Sequence, residues 1–484
     1  MSTNAESMQN AGSEKTTPKK QKEIWRYVVA VCGIIGFALI VTLIPKSTGL
    51  SQEGKYTLGI LFLMVMWWIS DICSIVVTAF LGMLLLILFK VADMAVIFSG
   101  FSNSTYIFLV FAFVIAVAVT KTGLGKRVAY AIIARTRPTF NGIMVTLSLL
   151  GMVLGAFVPS GNARTVIMCT IGLMLLPLFG QTVDKKSNVG RGIFTFLGLT
   201  TSMGSVAYIS GGAGSILVFG LLVKAGFQIN YLQWLVMFMP AMVIVSILMA
   251  LIIPRLFPPE VKSVSVERFK EFQATLHALG PMSAQEKKAA IIVGGTLLLW
   301  IIGSFINFDV TTVALLGGVL LMFPFIDIVK DSDLNKLGWS ALLFTGFSLS
   351  LGSVLQATKV NAFLATVASP LMTSPSLLTF CLKIWLIGTV THFFLPGPLP
   401  AYTAFLPIIM ASAKAQGFSL LIPVVVFVAS YSGFVMVYQM TQGVIAYGFG
   451  QFDAHDIQKP GIILLGLLLL MTPILVLYLS ALRF

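Results

Sequence analysis

The sequence predicts an all-α polytopic membrane protein, with about 11 transmembrane helices and two re-entrant hairpins arranged as an inverted repeat. The prediction rests on composition, on long apolar runs, and on landmarks that recur at a fixed distance along the chain. Of the 484 residues, 57% are hydrophobic and only 10% are charged, whereas a soluble domain carries about 25% charged residues. This composition excludes a soluble enzyme, and the helical length of the apolar runs excludes an outer-membrane barrel.

The N-terminal region predicts the first topological element. Residues 1–26 are polar, and basic residues cluster just before the first apolar run. The run has no short apolar core with a small-residue cleavage site, so we expect a retained helix. We therefore predict a cytoplasmic tail over 1–26, a first helix over 27–54, and a multi-pass protein of the cell membrane.

The apolar runs that follow supply the crossing helices. Two longer apolar stretches, 141–179 and 374–412, are interrupted near their middles at 159–161 and 396–398 by proline and glycine. These two stretches predict re-entrant hairpins, which enter the membrane and leave on the same side. The uninterrupted runs, each a candidate crossing, lie at 27–44, 57–70, 74–90, 105–120, 190–225, 230–257, 287–306, 310–328, 338–357, 419–450 and 461–482.

The distribution of basic residues agrees with this topology. If the hairpins re-enter, 22 of the 31 Lys and Arg residues face the cytoplasm, seven face outward, and Arg164 and Lys383 lie inside the hairpins. This bias is the one expected of a membrane protein. The formal charge of +14 therefore indicates orientation and not a nucleic-acid partner.

An internal duplication is the third observation. We predict a first repeat over 55–257, a cytoplasmic linker over 258–286, and a second repeat over 287–484. Each repeat has five crossings and one hairpin, and because five is odd the second copy begins on the opposite face, as in many secondary transporters. The landmarks that recur at 235 or 236 residues are Ala79 and Gly82 with Ala314 and Gly317, Thr122 with Thr358, Ser160 with Pro396, and Gly212 and Gly214 with Gly448 and Gly450.

Irregular backbone predicts where the site lies. Backbone at membrane depth is irregular only where it lines a cavity or is buried in protein, and four segments are expected to be irregular: 158–165, 395–403, 200–215 and 430–443. The second arm of each hairpin begins a helix, whose free N–H groups attract anions. Two such tips that meet at the midplane predict a site for a small anionic substrate.

A few charged residues refine this prediction. Arg164 lies one turn past the first tip, and we expect it to compensate the charge of the substrate; the alternative is that it binds carbonyls or a carboxylate and holds the hairpin. Only Asp71, expected at a turn, lies well inside an apolar run, so a cation antiporter is disfavoured. His392 is expected to be hydrogen-bonded or to touch an acidic substrate, and Lys383 to reach toward the interface.

Several ordered motifs resemble one family. The run 159–164, Pro-Ser-Gly-Asn-Ala-Arg, resembles the first Ser-Asn-Thr signature of the divalent anion:sodium symporter (DASS) family, in the citrate/succinate and 2-oxoglutarate/malate exchanger-like branch of the ion transporter superfamily. The runs 391–394 and 447–450 are similar to that branch as well, and the resemblance extends over about 27–484.

The resemblance implies a scaffold domain that holds a homodimer contact and a transport domain that moves as an elevator. It implies substrate contacts at the tips and unwound helices, and a sodium site at Ser160, Asn162, Ser202 and Gly204. With the candidates taken from the residues themselves, the full set of expected substrate-binding residues is Ser160, Gly161, Asn162, Arg164, Thr165, Ser202, Ser205, Pro396, Gly397, Pro398, Thr403, Gln439, Thr441 and Gln442.

Departures from the family pattern shape the functional prediction. Gly161 and Asn162 stand where Asn and Thr are expected, and the second tip reads Pro-Gly-Pro over 396–398. These three residues have no side-chain oxygen, so a second sodium site is disfavoured and anion contacts should be dominated by the first hairpin, with Tyr402 and Thr403 as donors on the second side.

We therefore expect a secondary transporter of di- or tricarboxylates that works by anion exchange and needs no cofactor. The alternatives are sodium-coupled symport, an inorganic anion or sulfonate permease on the same fold, and, less favoured because broken hairpins are costly without a site, a channel or structural membrane protein. No nucleotide-binding loop is present in the sequence, which disfavours an ATPase. The four cysteines show no metal-ligand spacing.

Overall fold

The computed structural model describes residues 17–45, 49–277, 280–306 and 308–484. Most of the predicted tail, with Lys46 further on, lies outside the described residues. Every regular element in the described part of the chain is a helix, apart from one isolated bridge between Thr139 and Ser263. This confirms the all-α prediction.

The chain order of the helices is as follows. The first half contains α1 (Thr17–Leu43), α2 (Gln52–Ser70), α3 (Ile75–Leu88), α4 (Met94–Ile97), α5 (Ser104–Thr122), α6 (Leu124–Ile133), α7 (Phe140–Phe157), α8 (Gly161–Leu175), α9 (Asn188–Ala207), α10 (Ala213–Lys224) and α11 (Tyr231–Leu256). After α12 (Val266–His277), the second half contains α13 (Ala284–Gly303), α14 (Val310–Met322), α15 (Trp339–Ala357), α16 (Val360–Met372), α17 (Leu377–Phe394), α18 (Pro398–Ala415), α19 (Leu421–Ser430), α20 (Thr441–Gly448) and α21 (Gln458–Ala481).

Most of these helices have a length and a composition that suit a lipid bilayer. Eight helices of the described chain are long and apolar enough to cross a membrane, and five more are apolar but shorter. Large apolar side chains such as Leu39, Leu316 and Leu470 stay exposed on the protein surface. Such a surface suits a polytopic membrane protein, because lipid replaces water around it.

The two halves repeat the same order of helices. Helices α3, α5, α7 and α8 begin 235 to 237 residues before α14, α15, α17 and α18. One predicted landmark is wrong: Gly212 directly precedes α10, whereas Gly448 ends α20. The spacing between α10 and α20 falls to 228 residues because α19 is ten residues shorter than α9, while the non-helical segment after it is only five residues longer. The opposite orientation of the two copies stays a prediction.

Both predicted hairpins are broken at their tips. Helix α7 ends at Phe157 and α8 begins at Gly161, while α17 ends at Phe394 and α18 begins at Pro398. The hydroxyls of Thr139 and Ser376 cap the first helix of each hairpin, as a helix start requires. The breaks are shorter than the sequence suggested, since regular helix resumes within three residues.

Two predicted boundaries are wrong. The predicted first helix over 27–54 is two elements, because α1 begins ten residues earlier and ends at Leu43. The predicted irregularity over 200–215 is confined to 208–212, where a single 3-10 turn joins α9 to α10. Thr200 and Thr201 stay helical because their hydroxyls donate to the carbonyls of Phe196 (2.8 Å) and Leu197 (2.5 Å), one turn back.

The linker between the halves carries structure of its own. Besides α12, its first residues hydrogen-bond to the chain around the start of α7: Phe140 N donates to Lys262 O at 3.0 Å, and Val264 N donates to Pro138 O at 2.9 Å. At its other end, Glu286 accepts from Arg127 at 3.0 Å. The linker is therefore fastened to α6 and to the first hairpin.

Packing separates the helices into two groups. The hairpin group comprises α7–α11 and α17–α21, which contact one another around α9 and α21; the frame group comprises α1–α5 and α13–α15. The groups meet where α5 and α15 contact α10 and where α15 contacts α18. A cavity lies at this boundary.

Candidate functional site

A cavity of about 870 Å³ opens between the frame group and the hairpin group. Both hairpin tips, the breaks before α10 and α20, helix α5 and the segment before α15 contribute to its wall. Among the predicted site residues, those that line it are Ser160, Gly161, Asn162, Ser202, Ser205, Gly397, Pro398, Thr441 and Gln442. The others, Arg164, Thr165, Pro396, Thr403 and Gln439, do not, and neither does Gly204.

Four helices begin at the cavity wall: α8 at Gly161, α10 at Ala213, α18 at Pro398 and α20 at Thr441. The first N–H groups of a helix have no partner inside the helix, and together with the helix dipole they attract anions. Convergence of four such starts makes this wall electropositive without any exposed Arg.

The four starts do not offer equal numbers of donors. At α8, the Ser160 hydroxyl accepts from Ala163 N at 3.3 Å, which leaves the two preceding N–H groups for a ligand. Helices α10 and α20 have no side-chain cap. At α18, Pro398 and Pro400 lack N–H groups, so Leu399 supplies the only early donor of that helix. The second tip is therefore the weakest of the four for an anion.

At the first tip the polar groups are closely packed. A methyl group added to Gly161 would overlap Gln442 Nε2 and lie 3.1 Å from Ser205 Oγ. Glycine at this position lets the amide of Gln442, from the second half of the chain, reach the first tip. Side chains from both halves thus converge on one place.

Arg164 lies behind this place and not in the cavity. Its side chain is fully buried, and Nη1 donates to Val158 O at 2.8 Å and Gly211 O at 3.2 Å. Nη2 donates to Thr201 O at 3.3 Å and to Ser205 Oγ. The expectation that Arg164 directly compensates the substrate is not met by this geometry; it holds the hairpin to the α9–α10 break, the alternative stated above.

Ser205 connects the buried cation to the cavity. Its hydroxyl oxygen accepts from Arg164, so its own O–H is left to donate, and Ser205 lines the cavity. A positive charge behind an accepting hydroxyl strengthens that hydroxyl as a donor. Arg164 can therefore act on an anion through Ser205 without touching it.

The second tip is fastened by different groups. Gly397, at φ 79°, donates its N–H to Gln439 O at 2.8 Å. His392 is buried, with Nδ1 3.0 Å from Gly433 O and Nε2 3.2 Å from Gln439 O. The Gln439 side chain accepts from Val435 N at 2.9 Å. Gln439 is thus committed to the backbone, which is why it does not line the cavity.

The remaining candidates also have partners outside the cavity. The Thr403 hydroxyl lies 2.8 Å from Ser348 Oγ and from Leu399 O, and the Thr165 hydroxyl donates to Gly161 O at 2.8 Å. Tyr402 Oη donates to Val428 O at 3.4 Å. The hydroxyls of Tyr402 and Thr403, expected as donors on the second side, are therefore already engaged, although Tyr402 does line the cavity.

Residues that the sequence did not single out form the mouth of the cavity. Lys121 at the end of α5 and Lys336 before α15 both line it, and both bind Asp333. The ammonium groups of Lys121 and Lys336, with the N–H of Lys330, hold the pKa of the Asp333 carboxyl well below its usual range. One carboxylate against two ammonium groups leaves the mouth positively charged, and no Asp or Glu is among the described residues that line the cavity.

The fold and this cavity are those of a polytopic membrane transporter with a candidate site between two broken hairpins. The transmembrane region of sodium:sulfate symporters, as a family model, matches residues 21–482. The chain belongs to this family, the divalent anion:sodium symporter family, and is a transporter and not an enzyme.

Named relatives carry the comparison further. A "membrane protein" of Cupriavidus necator is 28% identical, over 90% of this chain and 88% of its own length. The putative malate transporter YflS of Bacillus subtilis is 26% identical over 66% of this chain and 68% of its own. The L-tartrate/succinate antiporter of Shigella sonnei is 24% identical over 82% of this chain and 85% of its own.

A solved structure supports the fold alone. The Neisseria gonorrhoeae protein MtrF, described as belonging to a class of antimetabolite efflux pumps, has a TM-score of 0.55 at 9% identity and covers 91% of this chain and 96% of its own. The likeness supports the all-helical fold.

Proposed function

We propose that the protein exchanges small carboxylate anions, dicarboxylates among them, across the membrane without sodium. The observation that carries the proposal is the buried guanidinium of Arg164, which occupies the oxygen-rich place behind the first tip. Relatives that are named for malate, and for tartrate and succinate, support the choice of substrate.

Anion binding follows from the donors at the first tip. N–H groups of α8, α10 and α20 and the hydroxyl of Ser205 face one region of the cavity. Carboxylate oxygens accept several such bonds at once, and bonds to a charged acceptor are stronger than bonds between neutral groups. Because Asp and Glu are absent from the described cavity wall, an anion meets no repulsion there.

The oxygens that a sodium ion would need at the first tip are already in use. A hydrated cation is bound only where about six oxygens replace its water. The carbonyls of Val158, Thr201 and Gly211 instead accept from Arg164, and Gly204 lies outside the cavity wall. These bonds argue against a sodium ion at the site expected from Ser160, Asn162, Ser202 and Gly204.

The second tip also argues against coupling to sodium. Its prolines bring no side-chain oxygen, and the carbonyls of Gly433 and Gln439 face the ring nitrogens of His392. These carbonyls lie against the ring and are not open to a cation, so the second tip offers a sodium ion few free oxygens.

Fixed charge favours exchange over net transport. A cation that belongs to the protein cannot be released, so the empty site would carry uncompensated charge when it moves through the low-dielectric membrane. A bound anion removes that cost in both directions. We therefore expect the return step to be fast only when an anion is bound.

The position of the cavity supports an elevator motion. It lies at the boundary between the frame group and the hairpin group. Sliding of the hairpin group would carry both tips together and leave the site intact. On the predicted topology, the mouth with Lys121 and Lys336 faces the cytoplasm.

Proteoliposomes test the proposal. Purified protein is reconstituted into vesicles that contain succinate or inert buffer, and labelled succinate is added outside in sodium or potassium medium. We expect rapid uptake only into succinate-loaded vesicles and equal rates in the two media. Concentrative uptake into empty vesicles that requires sodium would contradict the exchange proposal and favour symport.

A further inference from the structure

We infer that the site is two-ended, with one carboxylate bound strongly at the first tip and a weakly polar or apolar part of the substrate lying against the second tip. The substrate class is therefore monoanions with an apolar body, accepted alongside dicarboxylates. This inference rests on the proposed function and narrows the substrate class of the same site.

The polar end is defined by contacts around the first tip. Gly161, Ser205 and Gln442 lie close together there, and Gly212 is next to them, since a methyl group on it would be 3.5 Å from Ser205 Cβ. This end combines two uncapped N–H groups of α8 with a hydroxyl that accepts from a buried Arg. It can satisfy both oxygens of a carboxylate.

The other end presents mostly carbon. A methyl group on Gly214 would lie 3.4 Å from Pro398 Cγ and from Tyr402 Cε2. Tyr431 also lines the cavity, and its hydroxyl donates to Thr391 Oγ1 at 3.0 Å. Since the hydroxyls of Tyr402 and Tyr431 both bind other parts of the protein, the two rings offer apolar surface to a ligand.

One polar atom at this end has no partner. Ser432 lines the cavity, is 1% exposed, and its Oγ makes no hydrogen bond in the described part of the chain. A buried hydroxyl without a partner is costly, and a ligand that brings a single acceptor would remove the cost. The Ser432 hydroxyl, the Leu399 N–H and the N–H of Gly214 at the uncapped start of α10 are fewer donors than the first tip provides, and they suit an ester, keto or hydroxyl oxygen.

Discrimination between ligands follows from this difference. A site that is built to hydrogen-bond a group rejects an analogue that lacks it by several orders of magnitude. The end of the site at the second tip has few donors, so it cannot cause such a large loss of affinity for an analogue that lacks the second carboxylate. Removal of the second carboxylate from a substrate should therefore change its affinity little, whereas removal of the first should abolish binding.

Binding to the purified full-length protein tests the inference without requiring transport. Thermal stabilisation is titrated with succinate, monomethyl succinate and 3-phenylpropionate, and each is also used as a competitor of succinate exchange. We expect the monoester within about threefold of succinate and 3-phenylpropionate within about tenfold. A monoester at least a hundredfold weaker, with succinate still bound and exchanged, would overturn this inference and leave the proposed function standing. If no carboxylate binds or exchanges, both fail.

Two variants give independent readouts. Ser432→Ala should weaken monomethyl succinate three- to tenfold and leave 3-phenylpropionate unchanged, while Ser412→Ala, a buried serine of α18 that also lacks a partner but lies outside the cavity, should change neither. Pro398→Ala returns an N–H group to the second tip and should raise the preference for succinate over its monoester about threefold. Equal losses for both ligands in Ser432→Ala, together with no change in preference in Pro398→Ala, would overturn the inference.

Discussion

The first and second hairpins share an architecture and differ in what holds them. Arg164, a permanent cation, ties the first tip to three carbonyls and one hydroxyl of its own half. His392 and Gln439 tie the second tip through backbone carbonyls and N–H groups. The comparison shows that a duplicated unit kept its two breaks while the chemistry at each break diverged.

The divergence reaches the cavity wall. The first tip offers uncapped N–H groups and the Ser205 hydroxyl, whereas the second tip begins with Pro398 and offers little beyond the Leu399 N–H. An anion is thus held mainly by the first half, and the second half shapes the rest of the site. Four changes test how far this division goes.

The largest effect is expected for Arg164→Ala. Loss of the guanidinium removes its bonds to three buried carbonyls and weakens Ser205 as a donor, a destabilisation on the order of 3 kcal/mol. Exchange should be abolished and thermal stability lowered. Arg164→Lys keeps the charge but not the planar fork, so it should restore only part of both. An Arg164→Ala protein with normal stability and only weaker substrate affinity would show that the side chain reaches the substrate instead.

His392→Ala should have a smaller effect. The contacts of the ring with two backbone carbonyls are lost at the second tip, and because this tip contributes little to anion binding, we expect about tenfold slower exchange with nearly unchanged substrate affinity. The exchange rate and the affinity are measured separately. Lys383→Ala is the control on the same helix, since that ammonium reaches only the exposed carbonyls of Leu371 and Thr373. Loss of affinity as large as in Arg164→Ala would remove the distinction between the hairpins.

A pair of glycines compares the two ends of the cavity. The methyl group of Gly161→Ala would overlap Gln442 Nε2, whereas that of Gly214→Ala makes only ordinary contacts at 3.4 Å. We expect Gly161→Ala to raise the KM for succinate about tenfold and Gly214→Ala to change it less than twofold. The reverse order would place the carboxylate at the second tip.

The residues at the cavity mouth come from both halves of the chain, and we expect their substitution to have the smallest effect. Asp333→Asn removes the charge that offsets Lys121 and Lys336, so the KM for succinate should fall two- to threefold at low ionic strength and return to the wild-type value in high salt. Asp331→Asn is the control, since Asp331 lies in the same segment but Asp333 is the carboxylate that pairs with Lys121 and Lys336. A salt-independent change would indicate a structural role.

The lowered pKa of Asp333 also fixes a pH dependence. Its carboxylate stabilises the fold in the charged form, so the contribution is complete above the unfolded value of about 4 and is lost only as the pH falls below it. The mouth should therefore behave alike from neutral pH down to mild acid. A salt response that changes between neutral pH and pH about 6 would contradict this assignment.

The sequence predicted the positions of the helix breaks better than the hydrogen-bond partners of the side chains near them. Proline and glycine interrupt the apolar stretches at both tips, and this local signal is enough to place the hairpins. The direction of the Arg164 side chain depends on Thr201 and Gly211, which are distant in sequence. The position of Arg164 one turn past the tip therefore could not show whether it contacts the substrate or holds the hairpin in place. The irregularity expected at Thr200 failed because a hydroxyl can bond one turn back and keep a helix intact.

Two other features were not predicted correctly, because they too depend on contacts between residues that are distant in sequence. Lys121 and Asp333 are 212 residues apart and meet only once the two halves are packed together. The Gly448 landmark matched Gly212 by spacing alone, and spacing does not record which end of a helix a glycine occupies. Features that depend on contact between the halves were beyond the reach of local patterns.

The central claim is that the guanidinium of Arg164 takes the place of a sodium ion behind the first tip. An experimental structure of the protein, determined in sodium medium with succinate present, tests it most directly. We predict density for the guanidinium in contact with the carbonyls of Val158, Thr201 and Gly211 and one succinate carboxylate beside Ser205. A spherical ion bound by the Thr201 and Gly211 carbonyls, with the Arg164 side chain turned into the cavity, would contradict the account.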